Sequence, residues 1–203
     1  MPPRAPECRR AYHSDMADPP PKMHFRHMDE GTDADFMVLA EVHKATVEHL
    51  PDLLLDMLGR LKGDEAYPID RMAHSLQAAT RAQRDGRDEE YVVCALLHDV
   101  AESIGPFNHG EIAAAILKPF ISVENYWMLA HHQVFQVYFF GQHLGLDPNE
   151  RDRFVTSPFY DRTVDFTALY DEVSFDPEYD NEPLSTFEPM VRRVLARDWT
   201  PPT

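Results

Sequence analysis

Apolar positions recur at three- and four-residue steps along most of this chain. That is the period of a helix buried on one face, and no segment shows the sustained alternation of a half-buried strand. The first such stretch, DADFMVLAEVHKATVEHLPDLLLDMLGRLKG, turns helical at Ala34. Pro51 predicts a split into two helices there, and Gly63 a stop. PIDRMAHSLQAATRAQRDG reads as the next helix, with Asp70 placed as its cap and Gly86 as its end. DEEYVVCALLHDVAE follows, and its acidic start suits the helix dipole. After the loop SIGPFN come HGEIAAAILKPF, the aromatic-rich VENYWMLAHHQVFQVYFFGQHLG, the short DPNERDRFV, TVDFTALYDEVSFD and STFEPMVRRVLARDW. The pattern predicts an all-α fold of roughly seven or eight helices, forming a single domain over residues 34–203. Residues 1–33 are rich in Pro, Arg, His and Asp and have no clean period, so they predict a disordered or loosely docked N-terminal arm.

Composition narrows the partners. The chain has 203 residues and a formal charge of −16, from 35 acidic against 19 basic residues. Most of such a surface repels a phosphate backbone, so nucleic acid and anionic membranes are not expected partners. No apolar run reaches the roughly 18 residues of a membrane helix, and MPPRAPECRRAYHSD lacks the apolar stretch of a secretory signal. Cys8 and Cys94 are the only cysteines, which argues against a disulfide framework and for a reducing, cytoplasmic setting. A homodimer stays open.

Eleven histidines are many, and their placement changes the picture. His98 and Asp99 stand side by side at the end of the apolar run CALLHDV. His74 sits in RMAHSLQAA, His109 opens a helix, His131 and His132 lie in AHHQVF, and Asp165 and Asp171 lie in VDFTALYDEV. Singly, each is more often a hydrogen-bonded core residue than a ligand. Together, on successive helices facing inward, they are electrostatically awkward without a cation. A divalent metal resolves this, since imidazole and carboxylate both donate lone pairs. His74, His98-Asp99 and a later Asp would make one metal site. His109 and a histidine of the AHHQVF pair would make a second that shares Asp99, because a carboxylate can bridge two ions.

AHSLQAATRA followed by ALLHDVAE resembles the HD-domain superfamily of all-helical metal-binding bundles. With HGEIAAAIL and AHHQVF added, the set most resembles the mixed-valent di-iron HD oxygenases, the phosphonate-cleaving enzymes and myo-inositol oxygenase. The resemblance covers about residues 70–172. It implies an HD-domain helical bundle with two Fe ions, and O2 as co-substrate. His74, His98, Asp99 and Asp171 would hold one iron, Asp99 would bridge, and His109 and His132 would hold the other. His132 is preferred to His131 by the apolar residue that precedes the ligand in relatives, and Asp171 to Asp165 by its neighbour Tyr170.

The sequence also departs from those relatives. A Lys that helps to bind the anionic group in the phosphonate enzymes is replaced by Gln136, and the Lys near the His-Asp pair of myo-inositol oxygenase falls near Glu102. Gln77 and Gln136 suit hydroxyl or amide groups, or support of the metal histidines. HDVAE resembles the HDxxE of nucleotide-hydrolysing HD enzymes, in which the Glu assists an attacking water; here that is Glu102. Two activities therefore compete. One is a di-iron oxygenase acting on a small hydroxylated substrate. The other is a phosphohydrolase using Mn, Co, Zn or Fe, weakened by the few basic residues close to the motifs, Arg81, Arg84 and Lys118. A non-catalytic module with a structural metal ranks last, since it would leave His109 and His132 unused.

Overall fold

The computed structural model describes residues 22–63 and 67–197. Most of the expected arm, including Cys8 and His13, lies outside the described residues. Among those described, all regular structure is helical. The α-helices are α1 (Asp33–Gly59), α2 (Arg71–Arg84), α3 (Glu89–Leu97), α4 (His109–Leu117), α5 (Val123–Phe140), α6 (Tyr160–Phe166) and α7 (Leu184–Leu195). Short 3-10 turns occur at Met28–Glu30, Gly141–Leu144 and Glu150–Phe154. No helix among the described residues is long and apolar enough to cross a membrane.

The chain separates into two units, divided after Val47. In the first, Asp35 accepts hydrogen bonds from the backbone N–H groups of His24 (2.9 Å) and Thr32 (3.0 Å) and from the Thr32 hydroxyl (2.7 Å). These bonds, those from Thr32 foremost, hold its carboxyl down at about 2. Phe25 stacks on Phe36 beside them.

In the second unit α1 runs through Pro51 without the expected break. A proline inside a helix forfeits one hydrogen bond, here to the Val47 carbonyl. The turns after it are anchored by Leu54, Leu58 and Leu61, all buried. The cap at Asp70 forms as expected, its side chain accepting from Ala73 N–H at 2.8 Å, and Gly86 takes the left-handed φ of 78° after α2.

Helix α3 is apolar on every side, and Tyr91–Leu97 are all buried. A helix of that kind belongs in the middle of a core, and α2, α5 and α7 pack around it. α4 lies on α5, and α5 on α6. Regular α-helix ends at Leu97, earlier than HDVAE suggests. Beyond it the chain tightens into turns in which Val100 N–H donates to Leu97, Glu102 N–H to Asp99 and Ile104 N–H to Ala101. Bonds of this span satisfy a helix end that Gly105-Pro106 prevents from continuing. After α6 the helix widens into a π turn over Thr167–Asp171, where Glu172 N–H reaches back to the Thr167 carbonyl at 2.9 Å.

Candidate metal centre

The core elements deliver six buried side chains to one place: His74 from α2, His98 and Asp99 from just past α3, His109 from the first position of α4, His132 from α5, and Asp171 from the π turn. They fall into two groups. In one, His74 Nε2 and His98 Nε2 stand 3.1 Å apart, with Asp171 Oδ1 at 3.3 and 3.6 Å from them. In the other, His109 Nε2 and His132 Nε2 stand 3.2 Å apart.

Asp99 lies between the groups and divides its oxygens. Oδ2 is 3.6 Å from His74 Nε2 and 3.4 Å from His98 Nε2. Oδ1 is 2.9 Å from His109 Nε2 and 3.4 Å from His132 Nε2. Two ligands at about 2.1 Å from one ion and roughly at right angles are themselves about 3 Å apart, so both imidazole pairs have the spacing of neighbouring ligands.

The backbone sets which nitrogen is free. Nδ1 of His74 faces the Ser174 carbonyl (2.9 Å), that of His98 Ala95 (2.8 Å), that of His109 Pro106 (3.2 Å) and that of His132 Leu129 (2.8 Å). A carbonyl only accepts, so each Nδ1 carries the hydrogen and each Nε2 of a neutral ring presents a lone pair inward. Two lone pairs 3.1 Å apart repel unless a proton or a cation lies between them. Asp171 Oδ2 is buried and without a partner, which an ion would also supply. The donor set thus fits metal.

The charges agree with this. Burial opposes a charge on His98, but Asp99 and Asp171 beside it prevail and push its pKa up to about 9. Burial also works against ionised Asp99 and Asp171. The surrounding imidazoles, whose Nε2 atoms donate to these carboxylates wherever a proton stands in for an ion, hold both carboxyls below their ordinary range.

Sequence reasoning missed Arg71, the first residue of α2. Its guanidinium is buried, donates to Asp99 Oδ2 at 2.5 Å, pairs with Glu102 and lies over the Tyr67 ring. Arg81 and Arg84 instead cover Tyr179. The signal was available: Arg71 precedes His74 by three residues and so shares its helix face.

The centre forms the floor of a cavity of about 840 Å³. Glu102 and Gln136 line it, and the Gln136 carbonyl oxygen is buried with no partner. Gln77 is not among the lining residues; its amide is clamped on the Asp176 backbone, donating to the carbonyl at 2.6 Å and accepting from N–H at 3.3 Å. His131 stacks on Trp127 (4.1 Å) and Asp165 pairs with Arg87 at the surface, so neither joins the cluster. Gly110 lets α4 approach α5: a Cβ there would sit 2.7 Å from the Leu129 carbonyl oxygen and 2.8 Å from the His132 ring.

Fold and site together define an all-helical protein with a buried His/Asp centre suited to metal. No protein-family model matches the chain. A curated protein it is similar to is [1-hydroxy-2-(trimethylamino)ethyl]phosphonate dioxygenase (glycine-betaine-forming) of Leisingera caerulea. The two are 36% identical over 73 aligned positions, which cover 29% of this chain and 37% of that protein. The match therefore spans little more than a third of that relative's length.

Proposed function

We propose that this chain is a di-metal oxygenase, with two iron ions, that uses O2 to oxidise a small hydroxylated substrate. In this reading His74, His98, Asp171 and Asp99 would hold one ion, and His109, His132 and Asp99 would hold the other. The observation that carries it is the division of the two Asp99 oxygens between two imidazole pairs. The dioxygenase activity in the relative's name, on a hydroxylated phosphonate, supports the same chemistry. When bound, a redox-active metal pair supplies the activation of O2 and the oxidation of a C–H bond beside a hydroxyl.

The chain's own residues set the surroundings. Gln136 offers a buried acceptor to a substrate hydroxyl. Arg71 balances Asp99 and Glu102 at the cavity floor. Gln77 acts as a positioning residue: it fixes Asp176, two residues beyond the Ser174 carbonyl that orients His74.

Metal content and the EPR spectrum after partial reduction without O2 test the reading. Two irons per chain with a coupled mixed-valent signal support it. Redox-inert metal, or two ions without that signal, favours a second reading, the metal-dependent phosphohydrolase. Arg71 gives that reading its footing, because it places a cation beside Glu102 at the centre, where a phosphate clamp needs one.

A further inference from the structure

Helix α5 acts as a ruler leading away from the centre. His132 stands at the metal-suited cluster, Gln136 one turn further on and Phe140 two turns further on. At 1.5 Å per residue these lie about 6 and 12 Å along the axis from His132. All three line the cavity, as do Val137 between them and Leu144 in the 3-10 turn that follows. The lining thus changes character with distance: ligand nitrogens first, then an amide, then hydrocarbon.

Charge changes in the same direction. Among the described residues, Arg71 is the one Lys or Arg that lines the cavity, and its guanidinium is taken by Asp99 and Glu102 on the floor. No cation lines the part beyond Gln136. A substrate that extended a second anionic group there would lose its hydration with nothing to replace it. Phe140 is 40% exposed and Leu144 67%, so apolar surface at the mouth stands ready to be covered.

We propose that the cavity takes an amphipathic alcohol, with its hydroxyl end at the His/Asp centre and a donor group against Gln136. Its uncharged alkyl or aryl body then lies along Val137, Phe140 and Leu144. This differs in the far group from the compact, charged compound in the relative's name, and it rests on reading this cavity as the reaction site. Leu144 and Phe140 are then specificity-determining residues.

A homologous series tests it. Propane-, pentane- and octane-1,2-diol are titrated calorimetrically into the full-length, metal-loaded protein under nitrogen, with metal content measured on each sample. Affinity should rise about threefold per methylene, and so roughly a few hundredfold over the chain extension from the propane to the octane compound. Leu144→Glu, on an exposed turn, should cut the gain for the octanediol about tenfold and leave propanediol binding and the circular dichroism unchanged. Octanediol that binds no tighter than propanediol overturns the proposal, as does a chain-length gain that Leu144→Glu and Phe140→Ser both leave intact. A dimer that Leu144→Glu dissociates, with no gain along the series, also overturns it and assigns the surface to a second copy of the chain. Protein that takes up no metal on loading but still shows the chain-length gain refutes the di-metal reading and leaves this one standing.

Discussion

Gly110→Ala isolates one half of the centre. The added methyl would lie 2.7 Å from the Leu129 carbonyl oxygen and 2.8 Å from His132 Cε1 and Nδ1. Ordinary contacts begin near 3.4 Å, so α4 and α5 must part by about 0.7 Å, because turning His132 would leave the backbone carbonyl contact in place. Overpacking of this kind costs about 1–3 kcal/mol. Alanine's better helix propensity returns about 1 kcal/mol, which leaves a net loss of up to about 2 kcal/mol. The larger effect falls on the centre, because a metal constellation tolerates displacements of about 0.5 Å. The His109–His132 pair is disturbed at His132 itself, whereas His74, His98 and Asp171 lie on other elements. A competitive chelator titration with metal counted per chain should therefore find one ion held nearly as in the parent and the other weakened about ten- to a hundredfold. Two ions held with parental affinity would refute both the close approach of α4 to α5 and the assignment of His132.

Four further expectations follow from the same geometry. Asp99→Ala should lose both ions, read by metal analysis; retention of both would end the bridging assignment. His132→Ala should abolish one site while His131→Ala leaves the metal count unchanged, since His131 stacks on Trp127 outside the cluster. Arg71→Leu leaves Asp99 and Glu102 without their cation, so the metal-stripped form should lose about 3 kcal/mol and metal should bind more tightly; a calorimetric melt with and without metal checks both directions. Asp35, held at about 2 by Thr32 and the His24 N–H, has a folded pKa below the usual 3.8. Its contribution is present above about pH 4 and lost as pH falls through about 2. The Thr32 amide resonance should report this loss, and Asp35→Asn should remove the dependence.

The helical class and the histidines were legible because both are written in local spacing. Apolar steps of three and four give the helices, and Asp70 and Gly86 mark the ends of α2 by cap and turn chemistry that depends on a few neighbouring residues. His74, His98, His109 and His132 stood out because imidazoles on apolar faces are conspicuous. What stayed hidden depends on residues far apart in sequence. Arg71 reads as a first-turn surface arginine until α2 packs on α3 and sets it over Asp99, 28 residues away. Gly110 reads as a weak point in a helix until the His132 ring is found against it. Pro51 reads as a break because a sequence window shows the lost hydrogen bond but not the buried leucines that hold the following turns.

The π turn at Thr167–Asp171 bears on chain length. Such a turn consumes about one residue more than an α turn, so this stretch stores a surplus residue directly ahead of Asp171. A shorter version could close into regular helix with Phe166 and Asp171 left where they are. The interval from His132 to Asp171 is therefore negotiable by one, whereas the adjacency of His98 and Asp99 is not. A search pattern with that last interval fixed would pass over proteins that share the whole centre.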